Sequence, residues 1–375
     1  MKDKEFSVSP WEVSGEVDYD KLIKEFGVQK LEKLPKVFED NILFRRKLIF
    51  AHRDIQRILE AIKNKKKFAM VTGLMPSGKF HIGHMVVALQ MIFYQKLGAK
   101  IYIAVADVET YNTRNQDLEK SREIAIEEYI KNYIALGLKP KNCEIYFQSA
   151  RSKDAEKSNA YYRLQNLLAR RVTFNEFKAV YGEITPGKMI SSLLQASDML
   201  HPGLKEFTKE KELPVIVPVG VDQDPHIRLA RDISKRFKET NLQISSTYNR
   251  FIPGLSGGKM SSSEENSYIA LTDKPEEVKR KINKYAFSGG RDTLEEHRKH
   301  GGNPDIDVSF QYLRDLFEPD DKKLDKIYKD YKSGKLTSGE LKNYTIDKIN
   351  TFLKEHQKRR ENITKKDVEG FVYKR

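Results

Sequence analysis

Two histidines three residues apart, His81 and His84, stand in the stretch FAMVTGLMPSGKFHIGHM from Phe68 to Met85, where an apolar run passes through a turn into a helix start. That spacing places both imidazoles on one side of the first helical turn, where unpaired backbone N–H groups and the helix dipole favour an anion. Gly83 leaves a flat patch between them for a planar base, with the phosphates reaching the rings. Pro76, Ser77 and Gly78 shape the turn that leads in. Nucleotide binding is the chemistry this predicts. Gly73, four residues, Gly78 and Lys79 also come close to a phosphate-binding loop. That reading fails at Phe80, which stands where a magnesium-binding hydroxyl is needed, and at Pro76, which has no N–H to offer.

A second candidate is LSGGKMSSSEENSYIALTD. Two glycines make a mobile loop; Lys259 brings a point charge and Ser261, Ser262 and Ser263 bring hydroxyl donors, so the loop can close on a polyphosphate. Alone it reads as a polar surface loop, and its meaning comes from pairing with the histidines. A third is VPVGVDQDPH, where Gly220 permits close approach to a ribose or phosphate and Asp222 can accept from sugar hydroxyls. Taken alone, its DQDP is only a helix cap.

The elements that must position these groups alternate. The pattern predicts strands at 68–72, 100–106, 144–147 and 214–219, with helices at 81–97, 118–136 and 225–237 and a helical insertion over 155–200 broken at 181–186. Strand and helix alternation implies an α/β fold, a Rossmann-like parallel sheet with ligands at the carboxyl ends of the strands. Ahead of it, residues 1–66 read as an extension: a hairpin around Trp11 turning at Ser14-Gly15, a helix capped by Asp18 or Asp20, and one amphipathic helix over 41–67. Residues 67–274 form the catalytic domain. From 275 to 375 the strand signals stop and an all-helical C-terminal domain follows, with Thr337 and Glu340 as a capping box.

At 375 residues the chain can carry two cores, and no apolar run approaches a membrane span, so no membrane association is expected. A single cysteine, Cys143, rules out an internal disulfide and suits a reducing cytoplasm. No apolar leader opens the chain, and Asn362-Ile363-Thr364 reads as an idle glycosylation match. Sixty-eight Lys and Arg against 54 Asp and Glu give a net charge of +14, a field that attracts polyanions and makes nucleic acid the leading partner. Lys358, Arg359 and Arg360 are candidate phosphate contacts.

Paired at opposite ends of one sheet, the two motifs resemble the HIGH and KMSKS signatures of class I aminoacyl-tRNA synthetases. The first match is complete; in the second, Ser262 replaces the usual second lysine. PWEVSGEVDYDKLIKEFG, VGVDQDPHIRLARD and AFSGGRDTLEEHRKHGGNPDIDVSFQYL extend the resemblance to tryptophanyl-tRNA synthetases of the archaeal and eukaryotic type, over nearly the whole chain. The resemblance implies ATP with Mg2+ as substrate, no metal site or tightly bound cofactor of the protein's own, L-tryptophan, tRNA(Trp), an anticodon-binding role for 275–375, a homodimer and a cytoplasmic location. His81, His84, Lys259, Ser262 and Ser263 would be catalytic. Pro76, Ser77, Gly78, Gly83, Gly220, Asp222, Lys259, Met260 and Ser261 would bind ATP, and Val71, Glu109, Gln195, Asp198 and Gln223 the amino acid. Gln195 and Asp198 share one helical face, and a buried Asp198 needs a donor such as an indole N–H. A tyrosyl-tRNA synthetase is the nearest alternative, but there the position of Val71 is usually a tyrosine. Eukaryotic tryptophanyl relatives carry Tyr and Gln at the positions of Val71 and Ala104, so indole binding is arranged differently here. A small nucleotidylyltransferase would lack the lysine-serine loop and the helical domain. A non-catalytic RNA-binding relative would have lost a histidine or Lys259, and none is lost.

Overall fold

The computed structural model describes residues 7–8, 13–14, 19–237, 242–258, 260 and 264–372. Strands β1 (Ser7–Val8) and β2 (Val13–Ser14) pair antiparallel, with Ser7 opposite Ser14 and Val8 opposite Val13. Ser14 is thus paired within β2, which corrects the turn expected at Ser14-Gly15. Trp11 lies outside the described residues.

The remaining strands, β3 (Gln29–Lys30), β4 (Ile49–Arg53), β5 (Ala69–Leu74), β6 (Lys100–Val105), β7 (Cys143–Phe147), β8 (Val215–Gly220) and β9 (Ile244–Asn249), form one sheet in the order β3-β4-β9-β8-β5-β6-β7. β5 to β9 are mutually parallel. The parallel part starts at β5, steps outward through β6 and β7, then returns to the other side of β5 for β8 and β9. Strand order therefore reverses between β5 and β8, the place where such sheets open a crevice at their carboxyl ends. β4 and β3 extend the sheet antiparallel beyond β9.

Side chains alternate across the sheet as the strand period of two requires. Met70, Ile101, Ile103 and Ile145 face one apolar layer, which holds the Ile82–Lys96 helix, while Val71, Tyr102, Ala104 and Tyr146 face the other, built on the Ala155–Ala169, Pro186–Leu200 and Asp224–Arg236 helices. The C-terminal helices join the first layer. Leu341, Ile349 and Leu353 of the Ser338–Glu361 helix share a continuous core with Met91 and Tyr133.

Two features depart from the sequence reading. The single helix expected over 41–67 is replaced by helical turns at Lys36–Glu39 and Ile42–Arg45, then β4, then the Gln56–Lys63 helix. Lys47 and Asp54, with φ of 55° and 51°, break the helix on each side of β4. Burial on both faces and pairing with β9 then outweigh the helical spacing of Leu48, Ile55, Ile58 and Ile62. β9 itself carries no apolar signal, being Ile-Ser-Ser-Thr-Tyr-Asn, yet all six residues are buried. Two of its hydroxyls are satisfied from outside the strand, Ser245 Oγ donating to Asp54 O at 2.7 Å and Thr247 Oγ1 lying 3.3 Å from Gln90 Oε1, while Ser246 Oγ donates within the strand to Tyr248 Oη at 2.8 Å. The helix expected over 118–136 is continuous but contains a π turn at Ala125–Ile130.

Candidate active site

The start of the Ile82–Lys96 helix is built by its own histidines. His81 is the cap residue. Its Nδ1 accepts from Gly83 N at 3.2 Å, and His84 Nδ1 accepts from His81 N at 3.2 Å, so the two rings close a reciprocal cap. The rings stack with centroids 3.8 Å apart. With each Nδ1 accepting, the neutral rings carry their proton on Nε2 and offer it as a donor. Burial holds them neutral: His81 is pushed down to about 2, with the neighbouring His84 adding to burial, and His84 to about 4. They are therefore neutral donors at physiological pH rather than fixed cations.

The turn ahead of them is pinned from the π turn and from Gln116. Tyr129 Oη donates to Ser77 O at 2.8 Å, Glu128 Oε2 accepts from Phe80 N at 3.3 Å, and Gln116 Nε2 donates to Pro76 O at 3.0 Å. Phe80 is fully buried against Tyr129 and Tyr133, and Lys79 turns to Glu265 at 3.0 Å. The near-match to a phosphate-binding loop thus has its key position in the core. A side chain at Gly83 would meet His81 Cε1 at 3.0 Å and Met260 Sδ at 3.1 Å, so the two motifs touch across this glycine. Lys259 and Ser261, Ser262 and Ser263 lie outside the described residues.

At the carboxyl ends of β5 and β8 a cavity of about 830 Å³ opens. It brings together Val71, Glu109, Gln195, Asp198, Gly220, Asp222 and Gln223, all singled out by the sequence, with Met75 at the edge leading to Pro76. The short turn Val221–Gln223 aims Asp222, to which Gln223 Nε2 donates at 3.1 Å. A Cβ on Gly220 would lie 2.6 Å from Asp222 Oδ1, so any larger residue there would push the Asp222 carboxylate aside.

Glu109, Gln195 and Asp198 bring further acceptors to the cavity. Glu109, buried, accepts from Gln195 Nε2 at 2.7 Å, and burial pushes its carboxyl up to about 7. Gln195 Oε1 is buried without a hydrogen-bond partner. Asp198 is 6 % exposed and was expected to need a donor from a ligand; the protein itself provides three. Tyr146 and Tyr161 both donate to Oδ1, at 2.7 and 2.6 Å, and Gln148 Nε2 donates to Oδ2 at 2.7 Å. A carboxylate accepts about four hydrogen bonds, so one more can be taken. Sequence reasoning missed Gln148, although it directly follows β7, at the carboxyl end where such residues collect. It also missed His226, which lines the cavity and whose Nδ1 lies 2.8 Å from Tyr181 Oη.

The expected cationic group near the C-terminus is divided. Lys358 and Arg359 are both exposed and Arg360 is half-buried, yet Arg359 Nε donates to Ala135 O at 2.8 Å and Arg360 Nη2 to Glu127 O at 2.7 Å, docking the long helix on the 118–136 run.

The family model for class I tRNA synthetases of the W and Y type matches residues 63–354. A tryptophan–tRNA ligase of Methanocaldococcus jannaschii is 44% identical, over 98% of this chain and 99% of its own. The crystal structure of tryptophanyl-tRNA synthetase from Aeropyrum pernix covers 95% of this chain and 96% of its own with TM-score 0.88 at 42% identity. That from Giardia lamblia gives TM-score 0.84 at 30% identity over 95% and 96%.

Proposed function

The chain belongs to the class I tRNA synthetases of the W and Y type, and from that membership we propose that it is a tryptophan–tRNA ligase. It activates L-tryptophan with ATP and transfers it to tRNA(Trp). The observation that carries this reading is the cavity itself: a largely apolar chamber with the acceptors Asp198, Gln195 and Glu109, lined also by Val87 of the helix whose start holds His81 and His84. The named relatives are tryptophan enzymes, which does not favour tyrosine or a non-catalytic role.

In the first step a carboxylate oxygen of tryptophan forms a bond to the α-phosphorus of ATP as the bond to the β-phosphate oxygen breaks, and pyrophosphate leaves. In the second, the terminal ribose hydroxyl of the tRNA attacks the carbonyl and AMP leaves. Charge builds on the phosphate oxygens, so the protein contributes position and donors. His81 and His84 offer Nε2–H groups, and Lys259 with Ser261, Ser262 and Ser263 would close over the pyrophosphate. Pro76, Ser77 and Gly78 border the nucleotide, Gly83 and Met260 flank the base, and Gly220 and Asp222 take the ribose. The nucleotide comes as its Mg2+ complex, the ion held largely by phosphate oxygens and water. Val71 forms an apolar wall for the ring, while Glu109 and Gln223 take the amino acid's ammonium end. ATP–pyrophosphate exchange with each standard amino acid tests the assignment: tryptophan alone supports efficient exchange, and a faster rate with tyrosine overturns it.

Glu109 gives the site a pH dependence. Burial is the main cause of its raised pKa, and its carboxyl is protonated below about 7 and ionised above. If the ionised form pairs with the substrate ammonium, KM for tryptophan falls by about tenfold between pH 6 and 8. Glu109→Gln flattens that profile. A profile of wild-type shape in the variant removes Glu109 from the amino acid site.

The tRNA is drawn by the excess positive charge, with the helices after 275 as its anticodon contact. We take the assembly as a homodimer in the cytoplasm; Tyr111, Phe174 and Ile190 are large apolar side chains left exposed that a second copy would cover. Lys358→Ala lowers the salt slope of tRNA binding by about one. Arg359→Ala instead costs about 1 kcal/mol of stability, the scale of one lost hydrogen bond, and leaves the slope alone. An Arg359 variant that flattens the slope without loss of stability would reverse these roles.

A further inference from the structure

Behind the cavity wall lies a layer of buried polar groups that never meets the substrate. Arg151, which follows β7, is 0% exposed, and a buried guanidinium is costly unless its donors are matched. Its Nη1 donates to Glu144 Oε1 at 2.5 Å and its Nη2 lies 2.6 Å from His201 Nε2. Its face sits 3.9 Å from the centre of the Tyr146 ring. Because a guanidinium only donates, His201 Nε2 must accept, and the ring proton is on Nδ1. From there it reaches Asp198 O at 2.9 Å and Ser197 O at 3.1 Å, at the end of the Pro186–Leu200 helix.

Asp198 is therefore gripped twice. His201 holds its backbone, and Tyr146, itself packed under the Arg151 cation, holds Oδ1 together with Tyr161. Oδ2 is left on the side of Gln148, which lines the cavity with Asp198, whereas Arg151, His201, Tyr146 and Tyr161 do not. We propose that Arg151 and His201 are positioning residues for amino acid selection, fixing Asp198 so that Oδ2 faces the substrate as an acceptor for a ring N–H. This rests on the tryptophan reading of the site. The arrangement also favours an ionised acceptor. Burial pushes the Asp198 carboxyl up to about 6, and hydrogen bonds from Tyr161, Tyr146 and Gln148 and the charge of Arg151 oppose it.

The test is Arg151→Gln in ATP–pyrophosphate exchange with tryptophan and with its benzothiophene analogue, in which sulfur replaces the ring N–H. Loss of the positioning should raise KM for tryptophan about tenfold, with kcat and KM for ATP little changed, and lower the preference for tryptophan over the analogue by about the same factor. General damage would weaken both substrates alike, so an unchanged preference overturns the proposal. Should Arg151→Gln not fold, Tyr146→Phe and Tyr161→Phe each remove one hydroxyl from Oδ1 at nearly constant volume. A preference unchanged in both overturns the proposal equally, and a reduced one supports it. A wild-type enzyme that uses tyrosine better than tryptophan would sink the substrate reading instead.

Discussion

Replacing Asp198 with asparagine lowers kcat/KM for tryptophan by roughly 10³, because a site built to accept an N–H is left with a donor where the acceptor stood. The structure sharpens the reason. Asp198 accepts from Tyr146, Tyr161 and Gln148, all three buried. An amide has one oxygen for those three donors, and its NH2 must face either two phenol hydroxyls or the Gln148 amide. Towards Gln148 two amide donors oppose each other, and towards the phenols each hydroxyl must turn from donating to accepting and give up the bond it makes to the carboxylate. In the wild type, the benzothiophene analogue of tryptophan is rejected by roughly 10³ on the same ground. Equal rates for tryptophan and the analogue would take Asp198 out of ring recognition and turn attention to Gln195 Oε1, the buried acceptor that has no partner.

The second large effect lies in the chemical step. His84→Ala and Lys259→Ala each slow adenylate formation by roughly 10² to 10³, the scale of one preorganised donor, while tryptophan binding at equilibrium changes little. Single-turnover adenylation separates these quantities. His84 also caps its helix through the His81 backbone, so its alanine variant loses about 1 kcal/mol of stability as well. Since burial holds His81 and His84 neutral down to about 2 and 4, neither produces an acid limb in the adenylation rate near pH 6. A rate falling through pH 6 to 7, abolished by His84→Gln, would mean that the imidazole works as a cation. An unchanged single-turnover rate in Lys259→Ala would remove that lysine from the mechanism.

The sequence alone determined what depends on local spacing. His81 and His84 share a helix start because three residues is one turn, and the apolar strands β5, β6, β7 and β8 are legible because each is a short apolar run bounded by turns. Alternation of strand and helix then dictates a parallel sheet, and with it the end of the sheet where Glu109, Asp222 and Gln223 must gather. The family resemblance added Val71, Gln195 and Asp198, and all six line one cavity.

Only the tertiary structure decided what depends on partners far apart in the chain. β4 carries the spacing of a helix but becomes a strand because β9, about two hundred residues later, pairs with it. β9 is polar and buried, a combination that no local pattern predicts, since Ser245 and Thr247 find Asp54 and Gln90 only after folding. Arg359 and Arg360 read as candidate phosphate contacts, and only packing brings them to the carbonyls of Ala135 and Glu127. Asp198 could be read as a carboxylate in want of a donor, but not as one already served by Tyr146, Gln148 and Tyr161 and backed by Arg151 and His201. Periodicity reports which face a residue occupies. Whether a buried charge is satisfied there depends on groups brought within 3 Å by the packing of other elements, and spacing along the chain carries no record of them.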